Sequence, residues 1–96
     1  SRYETNRALL VERLPRLGLP LAAPMDGAFY AYCDVSNHSN DSMEFARLML
    51  HEAGVAATPG RDFDPFEGNR YMRFSYAGAP SAIAEAMKRL ERWLAR

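Results

Sequence analysis

Three stretches of the chain place apolar side chains at the three- and four-residue spacing of an amphipathic helix. The spacing predicts a first helix over residues 3–17 and a last helix that begins at Pro80. Between them, Asp41 and Glu44 form a capping-box pattern for a second helix, which Gly54 is expected to end. The apolar stripes of the three helices are Leu10, Leu14 and Leu17, then Phe45, Leu48 and Met49, and finally Ile83, Met87, Leu90 and Leu94.

Three further stretches are rich in apolar and aromatic residues and are bounded by turn signals, which is typical of strands. They span residues 28–35, 55–58 and 70–77. The order helix, strand, helix, strand, strand, helix predicts an α+β fold. We expect a two-layer sandwich in which a small, mostly antiparallel or mixed sheet of about three strands has helices packed on one face. Residues 1–96 are expected to form this single domain.

Composition and charge narrow the class of protein. The 96 residues include 12 basic and 12 acidic side chains, and this balance argues against a nucleic-acid or anionic-membrane partner. No apolar run approaches the length of a membrane span, and no signal-peptide pattern is present. Cys33 is the single cysteine, so no disulfide can form within the chain, and we expect a cytoplasmic protein. The chain begins Ser-Arg-Tyr without an initiator Met, so we expect a piece of a longer protein.

Arg73 is the residue of the last predicted strand that most needs an explanation. It places a guanidinium between Met72 and Phe74, and an arginine cannot lose its proton to avoid the cost of burial. The charge therefore either points at water or is held for an anion. The spacing alone leaves both interpretations open, although a solvated arginine is the commoner case.

The other polar side chains favour structural roles. His38 and His51 have no cysteine or carboxylate at metal-ligand spacing and are expected on the surface. Cys33 has no feature that would lower its pKa and is expected to be a small core or half-buried residue. Asp62 and Asp64 lie in a loop rich in proline and glycine, where carboxylates serve as turn formers. The glycines do not have the spacing of a phosphate-binding loop.

Four stretches, taken together, resemble one protein family. Residues 24–30 are similar to the Pro-x-x-Gly-Ala-Phe-Tyr segment of pyridoxal-phosphate-dependent aminotransferases of the aspartate aminotransferase family, class I/II. Residues 54–63 resemble the next strand of that family and its Pro-Gly-x-x-Phe turn, and residues 73–77 resemble its Arg-Φ-Ser-Φ-Ala strand, where Φ is apolar or aromatic. Residues 3–10 are similar to the helix by which the chain of such enzymes re-enters the small domain. The resemblance identifies a C-terminal small domain.

The resemblance implies a transaminase that moves an amino group between an amino acid and a 2-keto acid. Arg73 would bind the α-carboxylate of the substrate, and Gly27 and Phe29 would lie near the mouth of the same site. The cofactor, pyridoxal 5'-phosphate, would be held by a lysine of a large domain outside these residues. Lys88 matches no lysine motif of the family and is expected to be solvated, so no catalytic or cofactor-binding residue and no bound cofactor are expected in the chain itself.

The same resemblance implies that the longer enzyme is a homodimer and that this piece alone is inactive. The surface that would face the missing large domain is expected to favour self-association. Two other classes stay open: a free-standing α+β ligand-binding or regulatory module without catalysis, and a protein-interaction domain. The first would still allow Arg73 to hold a small anion, whereas the second predicts an exposed aromatic cluster.

Overall fold

The computed structural model describes residues 2–22, 30–60 and 66–95 of the chain, and it has the predicted order of elements. The helices are α1 (Arg2–Arg16), α2 (Ser42–Leu48) and α3 (Pro80–Leu94), and a π-helical turn, Met49–Ala53, extends α2. The strands are β1 (Tyr30–Asp34), β2 (Thr58–Pro59) and β3 (Tyr71–Ser75), and a single 3₁₀ turn, Gly68–Arg70, precedes β3.

The three strands form one antiparallel sheet in which β3 lies between β1 and β2. Residues 20–22 extend along the free edge of β1, where the Ala22 amide donates to the Tyr32 carbonyl at 2.8 Å and the Asp34 amide donates to the Pro20 carbonyl at 2.9 Å. These bonds satisfy backbone groups that an open edge would expose. The predicted α+β fold with a small, mostly antiparallel sheet is confirmed.

The helices and the inner face of the sheet enclose one hydrophobic core. Alternate strand residues point inward because successive side chains of a strand lie on opposite faces. The inward residues of the sheet are Ala31, Cys33, Met72 and Phe74. From the helical layer, the buried residues are Leu10, Leu14, Phe45, Ala46, Met49, Met87, Leu90 and Trp93. The outward residues of β1 and β3 therefore lie on the face that points away from the helices.

Both ends of the second helix follow the sequence signals. The Asp41 carboxylate accepts from the amides of Met43 at 3.2 Å and Glu44 at 3.3 Å, which caps the first turn. The Glu44 side chain does not complete a capping box, because the Asp41 amide donates to Ser39 Oγ at 3.0 Å and the Glu44 carboxylate accepts from Arg47 instead. Gly54 ends the extended helix with φ of 71°, a conformation that glycine adopts without strain.

The predicted strand over residues 55–58 is displaced. The observed strand is Thr58–Pro59, and Val55 instead packs into the core while its amide approaches the Met49 carbonyl at 3.4 Å. Pro59 was expected to end the strand but belongs to it. A proline is permitted there because β2 is an edge strand and does not need a further amide donor. The pairing still places Thr58 beside Arg73.

Within residues 2–22, 30–60 and 66–95, every helix is too short or too polar to cross a membrane.

Candidate functional site

The sheet face that points away from the helices carries charged and aromatic side chains in close contact. Strand alternation directs the odd-numbered positions of β3 and the even-numbered positions of β1 to this face. The Arg70 side chain reaches the same face from the turn before β3. We call the set the outer face, and its members are Tyr30, Tyr32, Asp34, Arg70, Tyr71 and Arg73.

Arg73 lies at the centre of the outer face. Its strand is the middle one, and the register places Tyr32 of β1 on one side of it and Thr58 of β2 on the other. The guanidinium carbon of Arg73 is 4.5 Å from the centroid of the Tyr30 ring, which is a cation–π distance. The side chain is half-buried, so Arg73 is not the fully solvated arginine that one interpretation of the sequence expected.

Arg70, the second cation of the outer face, is tied to a carboxylate. Its Nη2 donates to Asp34 Oδ2 at 2.9 Å, and its guanidinium carbon lies 5.5 Å from the centroid of the Tyr71 ring. The Tyr71 ring stacks in turn on the Tyr32 ring, with centroids 5.1 Å apart. The ion pair with Asp34 fixes the position of the Arg70 guanidinium at one end of the outer face.

The Asp34 carboxylate is held in its ionised form. Burial raises its pKa, but this effect is outweighed by hydrogen bonds from the Ser36 side chain and amide and from Arg70, so that the pKa lies below its ordinary value. The Ser36 amide donates to Asp34 Oδ1 at 2.8 Å. A carboxylate with these partners orders both the turn after β1 and the Arg70 side chain above it.

The lowered pKa of Asp34 predicts how stability depends on pH. A carboxyl group whose pKa is lower in the folded state stabilises the fold above its unfolded pKa, near pH 4, and the stabilisation is lost as the pH falls through the folded pKa. At pH 7, Asp34→Asn should therefore lower the free energy of unfolding, and the difference from wild type should shrink as the pH falls below about 4. Urea unfolding of the chain, followed by Trp93 fluorescence from pH 3 to 7, measures this difference. A difference that stays constant over this range would contradict the prediction.

The remaining candidate residues of the described chain are one buried cysteine and two exposed histidines. The Cys33 side chain is fully buried, and burial together with the nearby Asp34 charge raises its pKa to about 12, so its thiol is a core group and not a nucleophile. His38 is an exposed residue whose Nε2 is 2.7 Å from the Leu17 carbonyl and whose ring stacks on Phe45 at 5.9 Å. His51 is exposed, as predicted. Among the described residues, no three histidine, cysteine or acidic side chains could hold a metal ion together.

Four of the residues singled out in the sequence lie outside the described part of the chain, and a fifth lies on the helical layer. Gly27 and Phe29 lie outside the described residues, as do Asp62 and Asp64. Lys88 is exposed on α3, in the layer opposite the outer face. The contacts that sequence reasoning missed are the stacking of Arg73 on Tyr30 and the pairing of Arg70 with Asp34. The signal for both was the alternation of Tyr30, Tyr32 and Asp34 along one strand, which places them on one face.

Comparison with protein families gives one match over nearly the whole chain. The model of the family described as "Aminotransferase class I and II" matches residues 1–90. A valine–pyruvate aminotransferase from Mycobacterium tuberculosis is 46% identical over 92 residues, which are 96% of this chain and 24% of that protein. An aspartate aminotransferase from Pyrococcus abyssi is 42% identical over 92 residues, which are 96% of this chain and 23% of that protein.

Solved structures of aminotransferases have the same fold in the matching region. An aminotransferase from Mycobacterium tuberculosis superposes with a TM-score of 0.93 at 45% identity, covering 98% of this chain and 24% of that chain. An aromatic aminotransferase from Pyrococcus horikoshii superposes with a TM-score of 0.86 at 40% identity, again covering 98% and 24%. This chain therefore spans about a quarter of the length of the proteins that it matches.

Proposed function

This chain belongs to the class I and II aminotransferases, and we propose that it is the part of such an enzyme that holds the substrate α-carboxylate on Arg73. The observation that supports the proposal is the position of that guanidinium. It is half-buried at the centre of the outer face and is stacked on Tyr30, while the neighbouring Arg70 is already paired with Asp34. The Arg73 guanidinium thus has a defined position in the middle of the outer face.

A guanidinium suits this task because of its shape. Its N–H groups lie in one plane and can donate two parallel hydrogen bonds to a carboxylate, which fixes the orientation of the substrate as well as its charge. Orientation matters in amino-group transfer because the Cα–H bond must be aligned with the reactive group before its proton can leave. A lysine at position 73 would supply the charge but not the two-point contact.

We infer that the cofactor of the longer enzyme is bound outside this chain. The family uses pyridoxal 5'-phosphate held by a lysine, and the one lysine of this chain, Lys88, is exposed on the helical layer away from Arg73. We propose that residues 1–96 are the C-terminal small domain and that the lysine and cofactor belong to a large domain outside them. On this proposal the longer enzyme is a cytoplasmic homodimer, its small domain closes over the substrate and excludes water, and the chain alone is inactive.

The proposed function is tested with the longer enzyme supplied with pyridoxal 5'-phosphate. We expect amino-group transfer from L-amino acids to 2-keto acids, and much slower transfer from the corresponding amines, which lack the α-carboxylate. The isolated chain under the same conditions is the negative control. Transfer that is equally fast with amines would contradict a carboxylate site, and activity of the isolated chain would contradict the assignment of the catalytic groups to another domain.

A further inference from the structure

We propose that two buried polar side chains, Asn6 and Ser42, are positioning residues for Arg73: they fix the two ends of β3 to the helical layer and so set where the substrate carboxylate is bound. The inference rests on the proposed role of Arg73. It assigns to both residues an effect on the reaction that passes through the backbone of β3, without contact between either side chain and the substrate.

Asn6 holds the chain at the end of β3. It is fully buried on α1, and its Nδ2 donates to the Tyr76 carbonyl at 2.9 Å and to the Gly78 carbonyl at 2.7 Å. Both carbonyls belong to the short connection between Ser75, the last residue of β3, and Pro80, the first residue of α3. The Asn6 amide therefore fixes the chain that follows the strand against a helix.

The chemistry of these partners fixes the orientation of the Asn6 side chain. A carbonyl group only accepts hydrogen bonds, so the amide nitrogen, with its two N–H groups, must face the connection. The Asn6 Oδ1 atom is buried and has no hydrogen-bond partner among the described residues. A buried acceptor without a partner lowers stability, and a leucine would fill a similar volume without one. What the amide contributes to the fold is therefore its two bonds to the connection.

Ser42 holds the beginning of β3 in a similar way. It is fully buried in the first turn of α2, and its hydroxyl donates to the Gly68 carbonyl at 2.6 Å. Gly68 belongs to the 3₁₀ turn that leads directly into Tyr71, the first residue of β3. This hydrogen bond fixes the start of the strand to the second helix, as the Asn6 bonds fix its end to the first.

The location of the two residues is the observation that links them to Arg73. Within the described part of the chain, Asn6 and Ser42 are the polar residues that are fully buried, whereas the rest of the core is apolar or aromatic. Polar side chains are seldom fully buried, and here both donate to the backbone on either side of the strand that carries Arg73. A displacement of about 1 Å in a binding group can lower a reaction rate about 100-fold, so fixing both ends of this strand matters for the site.

The experiment uses the longer enzyme with pyridoxal 5'-phosphate and compares kcat/KM for an L-amino acid with kcat/KM for the amine that lacks its α-carboxylate. Asn6→Leu, which removes two hydrogen bonds, should lower kcat/KM for the amino acid about 10- to 100-fold, and Ser42→Ala, which removes one, about 3- to 10-fold. Both variants should leave kcat/KM for the amine within about 2-fold of wild type, because the amine does not use Arg73. In the Arg73→Leu background, neither should have a further effect on the amino acid.

Two further variants separate positioning from stability. Leu94→Ala shortens a partly buried residue of α3 that lines a surface groove with Phe45 and Leu48, so it should lower stability and affect the amino acid and the amine equally. If Asn6→Leu does not fold, Asn6→Ala replaces it, because alanine favours the helix and leaves space for water to reach the two carbonyls.

Each outcome separates this inference from the proposed function. If Arg73→Leu lowers kcat/KM for the amino acid but Asn6→Leu and Ser42→Ala do not, the positioning role is wrong and the carboxylate site stands. Equal losses for the amino acid and the amine would also refute the positioning role, because they indicate a general loss of folded enzyme. The same conclusion follows if the two variants lower kcat/KM equally with and without Arg73. If Arg73→Leu itself has no effect, the carboxylate site is refuted, and the role of Asn6 and Ser42 with it.

Discussion

Replacing Arg73 by leucine in the longer enzyme is expected to lower kcat/KM for an L-amino acid by about 30- to 5,000-fold, while leaving the fold intact. The range corresponds to the roughly 2 to 5 kcal/mol lost when one partner of a buried, hydrogen-bonded charge pair is removed. The loss should be large because the substrate carboxylate would enter the closed site without its counterion. The side chain is only half-buried and lies on the outer face, so the core residues on either side of it, Met72 and Phe74, keep their packing.

Two further variants make this result specific. Arg73→Lys keeps the charge but not the planar pair of donors, so its kcat/KM should fall between those of wild type and Arg73→Leu. Arg92→Leu removes a highly exposed arginine of α3, in the layer opposite the outer face, and should leave kcat/KM unchanged. An Arg73→Leu enzyme with the kcat/KM of wild type would refute the carboxylate-binding role.

The helical layer could be predicted from the sequence because its signals are local. The i, i+4 spacing of Leu10 and Leu14 indicated which side of the first helix is buried, and both residues are in the core. Asp41 and Gly54 marked the ends of the second helix because capping depends on residues a few positions apart. Such signals, which involve residues only a few positions apart, can be interpreted without knowledge of the rest of the fold.

The edge of the sheet and the environment of Arg73 depend on contacts between distant parts of the chain. Val55 has the apolar character of a strand residue, but it is buried in the core beside the helices, and pairing begins only at Thr58. The alternation of residues around Arg73 indicated which of them share one face of the sheet. The family resemblance suggested that Arg73 binds the substrate α-carboxylate. That Tyr30 lies under the Arg73 guanidinium follows from the register of β1 against β3, which no local pattern specifies.

The backbone around Gly60 has no room for a side chain, and this predicts the largest loss of stability from a single added methyl group. A Cβ at position 60 would lie 2.5 Å from the Gly68 carbonyl oxygen, 2.7 Å from the Tyr71 carbonyl oxygen and 2.9 Å from Gly68 Cα. All three are backbone atoms and cannot rotate away. Position 60 requires glycine because there is no space for a side chain. An unusual backbone conformation is not the reason, since among the described glycines only Gly18 and Gly54 have positive φ.

Relief of this clash would have to move the turn before β3, which other bonds hold in place. The Ser42 hydroxyl donates to the Gly68 carbonyl at 2.6 Å, and the Val35 amide donates to the Arg70 carbonyl at 2.6 Å. Gly60→Ala should therefore destabilise the fold by about 3 kcal/mol, at the upper end of the usual cost of overpacking. Because β3 begins at Tyr71, the same displacement would disturb the position of Arg73 two residues later.

Hydrogen–deuterium exchange of the β3 amides in the longer enzyme measures this effect in the folded protein. A loss of about 3 kcal/mol should speed exchange roughly 100-fold, since each 1.4 kcal/mol is a factor of ten. Gly78→Ala is the matched control, because a Cβ at position 78 would meet the Ile83 Cδ1 atom at 3.7 Å, an ordinary contact. It should change stability by no more than about 0.5 kcal/mol. Equal exchange rates in the two alanine variants would contradict the prediction, because they would show that the close approach of residue 60 to the turn at Gly68 does not limit the stability of β3.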